Sequence, residues 1–126
     1  ICHKSREKAN VVASITAIGE VAGKNIIIVD DMVDTAGTLA KAANVLKDMG
    51  AVSVRACATH PVFSGSAYEK IANSALEEVI VSDTIPLSND PAKDKSKITV
   101  LTMAKMFANI IRKVYNYEEI SSSFIN

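Results

Sequence analysis

Cysteine is scarce in this chain: Cys2 and Cys57 are the only thiols, and no CxxC spacing relates them. Two thiols so far apart in a chain without secretory features read as reduced core or surface residues, in a cytosolic setting, not as a bridge. Net charge is also missing, with 14 Lys and Arg against 14 Asp and Glu. Nucleic-acid footprints and membrane-surface roles both want a basic excess, so neither nucleic acid nor membrane is expected as a partner, and a small molecule is. The longest apolar stretches are only strand-length, and no signal peptide, targeting segment or membrane span is visible. Neither GxxxxGK[ST] nor GxGxxG occurs, which sets aside the common triphosphate and dinucleotide loops. There is no internal repeat and no low-complexity tract. A length of 126 residues, rich in Ile, Val, Ala and Leu, predicts one domain with its own core.

What the chain does have is concentrated at one junction. Asn25-Ile26-Ile27-Ile28-Val29 is a continuous, largely β-branched run and predicts a parallel strand buried on both faces. It leads into Asp30-Asp31-Met32-Val33-Asp34-Thr35-Ala36-Gly37-Thr38, which holds three carboxylates, two hydroxyls and one glycine. A loop at the carboxyl end of such a strand, followed at once by a helix, offers unpaired backbone N–H groups and a positive dipole end to an anion. The amides of Thr35, Ala36, Gly37 and Thr38, with the two hydroxyls, suit one phosphate monoester, and Gly37 lets the backbone approach it without a Cβ in the way. Asp30, Asp31 and Asp34 are acceptors that suit sugar hydroxyls or a bridging magnesium ion. A phosphate beside several hydroxyls is a phosphorylated sugar. The plain alternative is an Asp- and Thr-rich helix start with no ligand, which leaves three crowded carboxylates without a compensating partner.

The rest of the chain supplies the scaffold. Residues 10–18 read as extended, and residues 19–24 as a turn. Residues 38–49 place Leu39, Ala42, Ala43, Leu46 and Met49 on one helical stripe, stopped by Gly50. Residues 52–58 alternate as a second strand, whose end carries Thr59-His60-Pro61. A helix over 66–73 and a strand over 78–82 follow. The sequence of elements predicts an α/β fold: a doubly wound, mostly parallel sheet flanked by helices. Residues 87–97 are polar and contain Pro91, so they read as an exposed loop with no chemistry assigned. A fourth strand is expected at 98–101. Residues 102–115 then stripe Ala104, Phe107, Ile110, Ile111 and Val114 at helical spacing, as core or subunit contact.

The segment from Val29 to Thr38 resembles the phosphoribosyl-binding signature shared by type I phosphoribosyltransferases and by the ribose-phosphate pyrophosphokinase family, also called phosphoribosyl pyrophosphate synthetases. Three further segments favour the synthetases: His3-Lys4-Ser5-Arg6-Glu7-Lys8-Ala9-Asn10, Thr59-His60-Pro61-Val62-Phe63-Ser64-Gly65, and Val79-Ile80-Val81-Ser82-Asp83-Thr84-Ile85-Pro86-Leu87. The likeness continues into Ile98-Thr99-Val100-Leu101 and Ser121-Ser122-Ser123-Phe124. It implies a type I phosphoribosyltransferase-like fold and transfer of the pyrophosphoryl group of ATP to the C1 hydroxyl of ribose 5-phosphate. The products would be 5-phosphoribosyl 1-pyrophosphate, for nucleotide biosynthesis, and AMP. Magnesium is the implied cofactor and a cytoplasmic homo-hexamer the implied assembly, under allosteric control by phosphate and ADP.

Lys4, Arg6 and Lys8 alternate, so an extended backbone would set them on one face toward a polyanion; bare, such a run is more often simply solvated. In the synthetase family a flexible loop carries a Lys and an Arg separated by one residue that stabilise the group in transfer, and the resemblance carries those roles to Lys4 and Arg6. Ser5 and His3 depart from the family's usual flanking residues. The resemblance assigns ribose 5-phosphate binding to Asp30, Asp31, Asp34, Thr35, Ala36, Gly37 and Thr38. His60 is balanced between catalysis and a local turn hydrogen bond, and neither His60 nor His3 is expected to ligate metal. Since the chain opens at Ile1 without Met, and family members are longer and built from two similar halves, residues 1–126 are expected to be a carboxyl-terminal domain. The ATP contacts and most magnesium ligands would then come from the other half and from a neighbouring subunit, and the fragment alone would be inactive. Two alternatives stay open: a type I phosphoribosyltransferase, and a non-catalytic protein that associates with the synthetase and regulates it.

Overall fold

The computed structural model describes residues 2–8, 11–17 and 19–123, with side chains for residues 19–122. Strands β1 (Cys2–Lys8) and β2 (Val11–Ala17) pair antiparallel, so the segment expected to be extended is a strand. The remaining strands form one sheet: β3 (Asn25–Val33), β4 (Ser53–Pro61), β5 (Glu78–Ser82) and β6 (Ile98–Leu101), side by side in that order and all parallel. Helix α1 (Gly37–Asp48) links β3 to β4, α2 (Ala67–Ala72) links β4 to β5, and α3 (Ala104–Tyr115) follows β6. The expected α/β architecture of a mostly parallel sheet with helices is therefore present.

Strand order decides which face is covered. Crossovers between parallel strands are right-handed, so connections that step steadily from β3 to β4 to β5 lie on the same side of the sheet. Leu39, Ala42, Ala43 and Leu46 of α1 are buried there, together with Ala67, Tyr68 and Ile71 of α2, over Val54, Ala56, Val79 and Val81. Alternation along each strand sends the intervening residues to the opposite side. There the run expected to be buried on both faces is not: Ile27 is 68% and Val29 77% exposed, because β3 is an edge strand and no crossover lies over that side.

Two further expectations need correction. Met49, expected on the helical stripe of residues 38–49, instead follows α1 as its C-cap and is exposed, while Gly50 adopts φ 90° as the expected stop. The stripe of α3 was read as core or subunit contact, and as core it fails: α3 has no buried residue, with Phe107 51% and Ile111 66% exposed. Its apolar period is genuine, but of the stripe only Ile110 is partly covered and none is buried. The loop before β6, read as exposed, is partly tied down: Ser88 N donates to Tyr68 Oη at 2.9 Å, and Lys93 Nζ lies 5.1 Å from the centre of the Tyr68 ring.

Candidate functional site

The carboxyl ends of β3, β4 and β5 lie together, and the candidates from Asp30 to Thr38, with His60, fall among them, whereas Lys4 and Arg6 lie on the separate β1–β2 sheet. β3 runs further than expected: Asp30 and Asp31 are strand residues, not loop residues, with Asp30 opposite Ala58 and Met32 opposite His60 on β4. The connection itself is then only Asp34, Thr35 and Ala36 before α1 begins at Gly37. Each carboxylate has a local donor. Asp30 Oδ1 accepts from the Asp31 amide at 3.0 Å, and Asp31 Oδ1 from the Met32 amide at 2.8 Å. Asp34 accepts from the Ser64 hydroxyl through Oδ1, and its carbonyl accepts from the Ser64 amide at 3.1 Å.

The turn into α1 has a specific shape. Ala36, the N-cap residue, sits at φ 58° and ψ 5°, a left-handed conformation that costs an alanine roughly 1–2 kcal/mol. No side chain caps the helix, so neither Thr35 nor Thr38 is spent on the first-turn amides. Uncapped amides at a helix start are an anion-binding arrangement, and strained backbone of this kind persists where the surroundings hold it in place. Burial of Ala36 at 4% exposure supplies part of that hold. Gly37 does not need positive φ; a Cβ built on it would lie 3.8 Å from Thr35 Oγ1 and 3.9 Å from Lys70 Nζ. Its missing methyl thus leaves room between a hydroxyl and an ammonium group.

A second loop braces the first. The Phe63 amide donates to the Val33 carbonyl at 3.0 Å, and Phe63 itself is left-handed at φ 45°, fixed by burial and by an edge-on contact with Tyr68 at 5.2 Å between ring centres. Ser64 is thereby brought to Asp34. Lys70 on α2 donates from Nζ to the Thr35 carbonyl at 3.2 Å. Ser64 belongs to a segment that carries the family likeness, and Lys70 lies outside all of those segments. No sequence signal pointed to Lys70, because its approach depends on how α2 packs against α1.

Thr84 Oγ1 lies 3.1 Å from the Thr59 carbonyl and 2.9 Å from His60 Nδ1, where the imidazole tautomer sets which of the two donates. Ser82 donates to the same carbonyl at 2.6 Å. The local hydrogen-bond reading of His60 is the one this geometry supplies. Cys57 is a free thiol. The backbones of Lys4 and Arg6 belong to β1, opposite Ile15 and Val12, with register shifts on both sides of Arg6. The resemblance put them in a loop, whereas here they are strand residues; their side chains lie outside the described residues.

The donor set also bears on magnesium. Among the described residues no three His, Cys, Asp or Glu side chains converge as a cage. One or two carboxylates with substrate phosphates is, however, the usual way magnesium is held, and Asp30, Asp31 and Asp34 fit that partial role. No helix among the described residues is long and apolar enough to cross a membrane.

Comparison with known proteins identifies the family. The family model described as phosphoribosyl synthetase-associated domain matches residues 3–125. Over 125 residues the chain is 58% identical to the ribose-phosphate pyrophosphokinase of Wolinella succinogenes, covering 99% of this chain and 39% of that protein. The enzyme of the same name from Shewanella oneidensis is 54% identical over 124 residues, covering 98% of this chain and 39% of its relative. A crystal structure of phosphoribosylpyrophosphate synthetase from Mycobacterium smegmatis superposes with a TM-score of 0.80 at 40% identity, over 92% of this chain and 36% of that one. This chain therefore spans about two fifths of the length of the relatives it matches. On the extent of that match, the chain belongs to the phosphoribosyl synthetase-associated domain family, and its relatives are ribose-phosphate pyrophosphokinases.

Proposed function

We propose that residues 1–126 are the carboxyl-terminal portion of a ribose-phosphate pyrophosphokinase and carry its ribose 5-phosphate site. The observation that carries this reading is the uncapped start of α1, turned by a left-handed Ala36 and set directly after three carboxylates. The amides of Gly37 and Thr38, with the Thr35 and Thr38 hydroxyls, receive the 5-phosphate; Asp30, Asp31 and Asp34 accept from the ribose hydroxyls. Site and family support the same acceptor, since ribose-phosphate pyrophosphokinases are the relatives.

The reaction in this reading is transfer of the pyrophosphoryl group of ATP to the C1 hydroxyl, with release of AMP. Holding the sugar by its phosphate and hydroxyls fixes C1 and lowers the entropic part of the barrier. Lys4 and Arg6 act on the transferred group, where positive charge meets charge spreading over the phosphoryl oxygens. Magnesium, when bound, neutralises the phosphates further, with Asp30, Asp31 or Asp34 as the ligands this chain can contribute.

The two sets of residues are separable by kinetics in a protein extended to the length of its relatives. Asp34→Asn removes a charge that binds substrate, so the KM for ribose 5-phosphate rises about tenfold or more, the loss of one charge-assisted hydrogen bond, while turnover changes less. Lys4→Ala removes an interaction specific to the transition state and lowers turnover with little change in KM. An unaltered KM in Asp34→Asn, or full turnover in Lys4→Ala, contradicts the corresponding role. Ribose 5-phosphate-dependent release of AMP from ATP is the activity to be measured.

A further inference from the structure

The start of α1 has a charge imbalance that the loop itself does not resolve. Asp30, Asp31 and Asp34 place three carboxylates within five positions of the sequence, with Asp30 and Asp31, as neighbours on β3, turned to opposite faces. A phosphate monoester adds about −1.5 to −2 near pH 7. The helix end returns only about half a positive charge. A dianion seated there needs a cation nearby, and the sequence around the loop contains none from Asp30 to Thr38.

The fold brings one from thirty-odd positions away. α2 is held against α1 by the burial of Ala67, Tyr68 and Ile71, and this packing delivers Lys70 to the loop. Its Nζ donates to the Thr35 carbonyl at 3.2 Å. The same atom lies 3.9 Å from the position of a Cβ on Gly37, with Thr35 Oγ1 at 3.8 Å from that point. An ammonium has three donors, and Thr35 takes one. None of the ion pairs found among the described residues involves Lys70. The gap left by the absent methyl of Gly37 is thus bordered by a hydroxyl and a cation, beside uncapped helix amides.

We propose that Lys70 is the phosphate-side cation of this site: it pairs with the 5-phosphate across the gap at Gly37 and holds the Thr35 carbonyl in place. The proposal rests on the ribose 5-phosphate reading above. Two consequences separate it from a purely structural tie. Binding should depend on the charge at position 70, and it should depend on the phosphate of the ligand.

The test is titration calorimetry on the protein extended to the length of its relatives, with ribose 5-phosphate and with ribose, alongside thermal unfolding of each variant. Wild type should bind ribose 5-phosphate far more tightly than ribose. Lys70→Met should weaken ribose 5-phosphate binding about ten- to a hundredfold, the loss of a hydrogen bond to a charged group, with ribose affinity unchanged. Lys70→Arg should restore most of it. Gly37→Ala should fill the gap and weaken the same ligand; the added Cβ meets its neighbours at ordinary contact distance, so the melting temperature should hold. Lys70→Met binding ribose 5-phosphate like wild type overturns the proposal and leaves the ribose 5-phosphate site standing. Equal loss in Lys70→Met and Lys70→Arg, with a lowered melting temperature, also overturns it, in favour of a structural tie. Wild type that fails to prefer ribose 5-phosphate over ribose refutes the site reading itself, and the role of Lys70 with it.

Discussion

On one face of the sheet, Val54, Ala56, Val79 and Val81 are sealed beneath α1 and α2. On the other, Ile27 and Val29 stand open, and at the base of that face Arg55 reaches Glu77 at 3.7 Å and Glu78 at 3.8 Å. The two faces draw on the same strands and, along β3, on the same residue types. What separates them is strand order, since a sheet that grows in one direction by right-handed crossovers collects its helices on one side. Burial here is a property of topology, and an apolar side chain by itself does not predict it. The stability of the described residues should therefore reside almost wholly on the helix-covered side.

The sharpest check is to make equivalent truncations on the two faces. Ile71 of α2 is 1% exposed and packed in the core, so Ile71→Ala should cost about 2–5 kcal/mol, through lost transfer energy and the cavity left behind. In a domain of this size such a loss lowers the melting temperature by roughly ten degrees or more, readable by circular dichroism. Val29→Ala on the open face should cost about 0.5 kcal/mol or less, since the side chain is already mostly in water. Comparable losses at the two positions would mean that something covers the second face in solution. The uncovered face would then be a working interface of the chain in solution.

The same contrast explains what could be read from the sequence. The strands over 78–82 and 98–101 appear with the boundaries their residues implied, and α1, α2 and α3 lie within two residues of expectation at their starts. Local periodicity and glycine stops carry that information. Which sides are buried is not local: Ile27 and Ile111 look the same in sequence whether or not another element lies over them. The site divides in a similar way. Asp30, Asp34 and Gly37 could be picked out by type and spacing as candidates for a sugar and an anion, because the strand-to-helix junction is continuous in sequence. Lys70 and Ser64 reach it from α2 and from the loop after β4, across distances in sequence that no spacing rule spans.

The smallest expected effect concerns the end of the sheet from which α3 departs without burying anything. Asp83, just beyond β5, accepts from the Met103 amide at 2.8 Å and ties the start of α3 to the sheet. The Thr102 side-chain hydrogen bond, and after it the Met103 amide, hold its carboxyl below the ordinary carboxylate value. A depressed folded-state value means that the carboxylate favours folding above the unfolded-chain value, about pH 4, and loses that contribution as pH falls through the folded-state value. The group is fully exposed, so solvent screening keeps the effect slight. Asp83→Ala should accordingly differ from wild type at neutral pH and converge with it in acid, with the change concentrated in the helical signal of α3. Amide exchange at Met103 followed between pH 7 and pH 3 would register it. A difference that stayed constant across that range would show that Asp83 acts by shape and not by charge. It would also mean that α3 draws no measurable support from electrostatics at this end.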